Sequence, residues 1–209
     1  LPAVVGAHAS LNYLVGIVAH SGGGKSSAGA VARRLIPLDH REDIAADLPL
    51  GSGEGLTEIY FGWVNEQDDE GNTQKVKRQV LQGAYLYLDE GQALAEMGNR
   101  KGATLLPTIR SGWSGETIGQ TNASQETKRV LPAHHYRLAL VVGFQYEYAA
   151  TLISDTAGGT PQRFLFASAH DPNIPDTAPD WPGTLTYQTP PTIATETILN
   201  IDPDVAHEI

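Results

Sequence analysis

The sequence predicts an α/β fold, a mainly parallel sheet flanked by helices, and three observations carry that prediction. Apolar runs of strand length recur at 14–19 (LVGIVA), 83–88 (GAYLYL) and 136–145 (YRLALVVGFQ). Segments of helical spacing stand between them, as with Ala28, Val31, Ala32 and Leu35. Three consecutive glycines join the first run to the first helical segment. Strands alternating with helices make βαβ units, whose strands lie parallel. The 209 residues are enough for one sizeable domain with a small addition. We assign 1–170 to the core and 171–209, rich in Pro, Asp and Thr, to a C-terminal extension packing on it.

The first strand and helix flank the stretch VGIVAHSGGGKSS, residues 15–27. Pro37 closes the helix that starts near Ser26. A glycine cluster costs conformational entropy, so it needs a return in geometry. At a helix start the backbone N–H groups have no intrahelical partner, and the helix dipole adds positive potential. His20, Ser21, Gly22, Gly23, Gly24, Lys25, Ser26 and Ser27 therefore read as an anion cradle. Lys25 adds a full charge, and Ser26 places a hydroxyl for a metal ion. The spacing is that of a Walker A motif, with Ala19 where the usual pattern begins with glycine. A glycine-rich β–α turn with an incidental lysine is the bland alternative.

Further along, 40–50 (HREDIAADLPL) is expected to hold a short second strand, and GSGEGL a turn. A helix is expected through LTEIYFGWV, residues 56–64. The charged stretch 65–79 reads as an exposed loop or hairpin with its tip at Glu70-Gly71-Asn72. After the strand at 83–88, helices are expected at Ala93–Met97 and Thr104–Arg110. The polar, turn-rich segment 111–130 is expected to stay out of the core. The run 136–145 is the clearest strand, followed by a helix in YEYAATLI, a break at GGTP and a last strand in QRFLFAS. The stretch 171–191 is expected to wrap the surface.

Hydrolysis of a phosphoanhydride needs a carboxylate for Mg²⁺ and a group to orient water. Both belong at the edge of the sheet where the strands end. Asp89 ends the apolar run Tyr85–Leu88, the form of a Walker B strand, and is the expected metal-side carboxylate with Ser26. Two residues compete for the water: Glu90, in tandem with Asp89, and Glu54, set between glycines after the second strand. A helix-start carboxylate is the competing reading of Glu54. Gln145, closing its strand, fits a sensor of the γ-phosphate or a cap for the next helix. Arg163, after GGTP, fits an arginine finger reaching a neighbouring subunit or a surface ion pair.

Lys plus Arg is 14 and Asp plus Glu is 24, so the net charge is 14 − 24 = −10. Such a chain is no general polyanion binder; nucleic-acid contact needs a local basic patch or an oligomer. The candidate patch lies in 110–137, with Arg110, Trp113, Lys128, Arg129, His134 and Arg137. With no cysteine, disulfides and thiolate metal sites are excluded, which fits the cytoplasm. No stretch approaches the roughly 18 apolar residues of a membrane span, and the start lacks the basic opening of a signal peptide. The chain opens mid-phrase and ends in DPDVAHEI, as expected of a segment of a longer protein.

Together, AHSGGGKS, GSGEGL, YLYLDEG, SGWSGETIGQTNA, HHYRLALVVGFQ and GGTPQRFLFASAHDP resemble the ATPase domain of phage and mobile-element replication proteins. These are P-loop NTPases with RecA-like, helicase-type domains, often joined to a primase-polymerase in actinobacterial phages and plasmids. The resemblance covers roughly residues 10–175. It implies ATP, Mg²⁺, a ring-shaped homo-oligomer and single-stranded DNA in the channel. It also sharpens the choice of glutamate, because RecA-like motors carry theirs on a strand neighbouring the Walker strands, as with Glu54. Two other readings remain: a switch or assembly ATPase of a phage or defence system without unwinding, and a P-loop kinase, which would need a lid of arginines.

Overall fold

A computed structural model describes residues 9–38, 41–98, 100–153 and 158–185. Five strands form one parallel sheet: β1 (Tyr13–Ala19), β2 (Ile44–Leu48), β5 (Gly83–Leu88), β8 (Arg137–Gln145) and β9 (Phe164–Ser168), in the order β2-β5-β8-β1-β9. Two antiparallel hairpins stand beside it, β3 (Phe61–Gln67) with β4 (Thr73–Gln79) and β6 (Ile118–Gln120) with β7 (Arg129–Leu131). The helices are α1 (Lys25–Leu35), α2 (Gly53–Glu58), α3 (Gly91–Gly98), α4 (Leu105–Ser114) and α5 (Tyr146–Ile153), and a 3₁₀ turn spans Pro161–Arg163. Among the described residues no helix is long and apolar enough to cross a membrane.

Alternation along β8 explains the layering. Leu138, Leu140, Val142 and Phe144 are buried, while Ala139 and Val141 on the other face are half-buried. On the buried face Gly91 of α3 and Gly112 of α4 let the helices come close to Phe144 and Leu138. On the opposite face Gly29 of α1 lies against Tyr87, and the Arg33 guanidinium sits 4.3 Å from the Tyr87 ring centroid. Burying each large apolar side chain contributes about 1.5–3 kcal/mol, so this face holds most of the hydrophobic stabilisation. Asn12 and Tyr60 inside it are satisfied. Asn12, 4% exposed, accepts from the Leu138 N–H at 2.8 Å and donates to the Gly112 carbonyl, tying β1, β8 and α4 together. Tyr60 donates to the Arg137 carbonyl at 2.8 Å and packs edge-on against Tyr136; burial pushes both hydroxyls well above their usual pKa.

Most expected elements are present, and two differ. The helix expected over 56–64 begins earlier, at Gly53, because Ser52 caps it by accepting from the Gly55 N–H at 3.0 Å. Phe61, Trp63 and Val64 then leave it as a strand, paired with Gln79, Lys77 and Val76. The charged stretch is thus a hairpin, turned at Gly71 with φ 84°. The segment 111–130 also differs from expectation. It extends α4 and forms β6–β7, and Ile118 is buried against the core at 5% exposure. Its polar residues hid two inward-facing apolar ones, Ile118 and, just beyond, Leu131. Residues 171–185 hold no regular element, and they reach α1: Leu185 N–H donates to the Leu35 carbonyl at 2.8 Å and Trp181 stacks on Arg34. Positions 186–191 of the expected wrap lie outside the described residues.

Candidate functional site

The glycine loop takes the shape its composition requires. Gly22 and Gly24 sit at φ 75° and 79°, the left-handed region that side chains disfavour. A Cβ on Gly23 would lie 2.7 Å from the Ala19 Cβ and 3.0 Å from the His20 carbonyl. Gly24 opens α1 without a side-chain cap, and the first turn holds no acidic residue. The N-terminal N–H groups of α1 are therefore not spent on a side chain, which suits them to an anion. Lys25 is buried at 9% exposure, its ammonium resting on the carbonyls of His20 at 3.1 Å and Ala19 at 3.5 Å. His20 lies against the ring of Tyr146, while Ser21 and Ser27 are exposed on either side of the loop.

β8 separates β1 from β5, and its end sets the distance between their tips. Ala19 pairs with Gln145 and Leu88 with Val142. Gly143 is needed there, since a Cβ on it would lie 2.7 Å from the Asp89 carbonyl oxygen. Asp89 is thereby brought over β8 to the start of α1. Ser26 Oγ lies 2.8 Å and 2.7 Å from the two Asp89 carboxylate oxygens, although the residues are 63 apart in sequence. The Tyr87 hydroxyl stands 3.3 Å from Asp89 Oδ1 and 3.4 Å from the Lys25 carbonyl. Burial first, then the Asp89 charge, holds the Tyr87 hydroxyl above its usual pKa, so it stays a donor. A cavity of about 130 Å³ opens here, lined by Lys25, Asp89, Glu90, Gly143, Gln145 and Tyr148 among others.

Of the expected site residues, Lys25, Asp89, Glu90 and Gln145 line this one cavity; Ser26 adjoins it through its contact with Asp89, and the glycine loop leads to it at Lys25. Glu54 is elsewhere. It follows β2, which pairs with β5, but its carboxylate faces a separate cavity of about 430 Å³ with Arg100, Lys101 and Thr104. Its oxygens accept from Thr104 Oγ1 and Gln120 Nε2, each at 2.9 Å. The neighbouring glycine serves the packing of α2 on α4: a Cβ on Gly53 would lie 2.5 Å from Thr108 Oγ1 and 2.7 Å from the Thr104 carbonyl oxygen.

Arg163 stands at the other edge of the sheet. It precedes Phe164, which pairs with Leu14 of the parallel strand β1, so the length of β1 separates it from the glycine loop. At about 3.3 Å per residue this is roughly 20 Å. Its Nη1 donates to the Gly159 carbonyl at 2.6 Å, its guanidinium lies 5.5 Å from the Trp113 ring centroid, and its Nε is buried without a partner among the described residues. Arg163 does not reach the glycine loop of its own chain.

The expected nucleic-acid residues are not assembled into one surface. Arg110 donates to Thr160 Oγ1 at 3.0 Å, and Arg137 to the Tyr136 and His134 carbonyls. Arg129 is 3.2 Å from Glu58 and donates to the Glu54 carbonyl. Lys128 is exposed in the loop between β6 and β7. His134 adopts φ 63° and packs by Gly115.

Sequence reasoning missed Tyr87, Gly143, Thr104 and Gln120. Only Gly143 left a signal, a glycine inside the clearest strand, where a close backbone approach is one of the standard causes. Chemically, the cavity joins a socket for an oligoanion to a hydroxyl–carboxylate pair of the type that hard, oxygen-preferring cations take. Comparison of the chain with family models, curated proteins and solved structures finds no match in any of the three.

Proposed function

We propose that this chain is an ATP-binding, ATP-hydrolysing P-loop domain of RecA-like type, belonging to a helicase-like DNA replication machine of the cytoplasm. The observation that carries the reading is the contact of Ser26 with Asp89, made beside Lys25 and the open end of α1. Two segments distant in sequence meet where a phosphate chain and its cation need opposite charges side by side. The residues fit Mg²⁺: Ser26 and Asp89 would hold it, and it would supply charge neutralisation to the phosphate chain.

The chain's own groups do the remaining work. The N–H groups of the glycine loop and of the first turn of α1 bind the β-phosphate. Lys25 leaves the His20 and Ala19 carbonyls, weak partners for a cation, for the β/γ-phosphate oxygens. Gln145, at the tip of the strand between β1 and β5, meets the terminal phosphate. Glu54 follows a strand that neighbours the Asp89 strand, the RecA-like placement, and is the residue we assign to the attacking water; Glu90, on the cavity wall, is its rival.

Nucleotide affinity and steady-state hydrolysis test this reading. Lys25→Ala is expected to remove binding or hydrolysis with the fold intact by circular dichroism; wild-type turnover in that variant would rule the cavity out. Glu54→Gln inactive with Glu90→Gln active supports the RecA-like layout, and the reverse supports the tandem one. The internal contacts of Arg110, Arg129 and Arg137 favour a second reading, a switch ATPase without unwinding. Stimulation of turnover by single-stranded DNA separates the two.

A further inference from the structure

The Glu54 carboxylate is held within its own turn of helix by its backbone N–H and Ser52, and from outside it by two donors of distant segments. Thr104, just ahead of α4, is 50 residues away, and Gln120, at the end of β6, is 66 away. Each donates to a different carboxylate oxygen, Thr104 to Oε2 and Gln120 to Oε1, both at 2.9 Å. The backbone beneath is fixed as well. Gly53 is packed against Thr104 and Thr108, and Ser52 caps the helix start. The hairpin that carries Gln120 is pinned to α2 by Arg129, which reaches the Glu54 carbonyl at 3.4 Å and Glu58 at 3.2 Å. Lys77, its side chain 6% exposed, holds Glu58 from the other hairpin at 2.6 Å.

This arrangement opposes the task of a base. Donors aimed at both oxygens stabilise the ionised form and weaken its pull on a proton. The carboxyl is indeed held below the usual glutamate range, by its own backbone N–H first, then by Thr104, with Ser52 and Gln120 adding to it. It also faces the cavity of Arg100 and Lys101, not the one shared by Lys25, Asp89 and Gln145.

We propose that Gln120 and Thr104 are positioning residues that park the Glu54 carboxylate away from the glycine loop, and that Glu54 acts on water only once these two donors release it. The inference rests on the hydrolytic reading and on Glu54 as the group that handles water. Glu54 follows β2, the neighbour of the strand that ends at Asp89, and release is a swing of its carboxylate off Thr104 and Gln120 toward that strand end. The donors sit at the ends of two exposed segments, 100–104 and 120–128, so a shift of either segment reaches Glu54. A purely structural tie between α2, α4 and β6 would use the same bonds but would leave turnover unchanged or lower when cut.

The test is steady-state ATP hydrolysis with Mg²⁺ at saturating ATP, without nucleic acid, with thermal melts alongside. Gln120→Leu and Thr104→Val should each raise kcat about 10- to 150-fold with KM within about twofold, the shift that one hydrogen bond to a charged group makes in a two-state equilibrium. Thr104→Ser, which keeps the donor, should restore the parked rate. Gln120→Leu combined with Glu54→Gln should be as inactive as Glu54→Gln alone. Where Gln120→Leu does not fold, Gln120→Asn, with its amide drawn back by one methylene, carries the same expectation. Folded Gln120 and Thr104 variants that hydrolyse at or below the wild-type rate overturn the proposal, as does a Glu54→Gln variant with wild-type turnover. Either result leaves the nucleotide site standing as long as Lys25→Ala is inactive; loss of the Lys25 dependence instead overturns both.

Discussion

Two carboxylates stand at the same edge of the sheet, after the neighbouring strands β2 and β5, and they are held in opposite ways. Asp89 is exposed, and its partner Ser26 stands in the first turn of α1, directly after the glycine loop. Glu54 is half-buried and bonded to Thr104 and Gln120, from segments that line no part of that loop. One carboxylate is tied to the start of α1, and the other to α4 and the β6–β7 hairpin. The difference teaches that position on a sheet edge gives a carboxylate its opportunity, while its hydrogen-bond partners decide when that opportunity is used.

The largest effect expected lies outside both carboxylates and tests whether the edge is complete within one chain. Arg163 is a strand's length away from its own loop, so as an arginine finger it would serve a neighbour's. Arg163→Ala should then bind ATP nearly normally and lose about 10³–10⁵ in turnover, as removal of a finger that serves the transition state does. Mixing Arg163→Ala with Lys25→Ala should restore part of the activity, since mixed interfaces join an intact loop to an intact arginine. No recovery under demonstrated subunit exchange would remove Arg163 from the mechanism.

Next in size is Asp89→Asn. It keeps the shape and the contact to Ser26 but removes the charge, so Mg²⁺-dependent turnover should fall by about 10²–10³, the usual cost of losing one electrostatic stabiliser. Nucleotide affinity measured without Mg²⁺ should change little. A similar loss of affinity in both conditions would mean that Asp89 shapes the loop and holds no cation.

The smallest effect concerns Glu54 and folding. Its carboxyl is held below the ordinary range, so the folded state gains stability from ionised Glu54 at pH above the unfolded value of 4.5. That gain is lost as pH falls through the depressed folded value. Thermal melts of Glu54→Gln should therefore sit below wild type near neutral pH and converge with it in acid. A pH-independent difference would mean that shape, and not charge, holds Thr104 and Gln120 in place.

Much of the glycine-loop region was legible in the residues because it is built from local contacts. Gly22 and Gly24 announce a loop with positive φ, and Lys25 and Ser26 follow within the same turn. Asp89 was legible because a strand of alternating burial ends there, and a strand end in a parallel sheet is a place for function. The error over 56–64 was also local: Ser52 and Gly53 mark a helix start, but helical and strand spacing cannot be told apart over Leu56–Val64 until the β4 partner is known.

By itself, then, the sequence determined the alternation of strands and helices, the glycine loop and the carboxylate that would face it, because strand period, helix period and glycine conformation act over a few residues. Only the tertiary structure decided the order β2-β5-β8-β1-β9, the pairing of Ser26 with Asp89 across β8, the placing of Arg163 at the far edge, and the hold of Thr104 and Gln120 on Glu54. Those are contacts between residues far apart in sequence, 50 for Glu54 with Thr104 and 63 for Ser26 with Asp89, and a side chain's partner at such range is set by how whole elements pack.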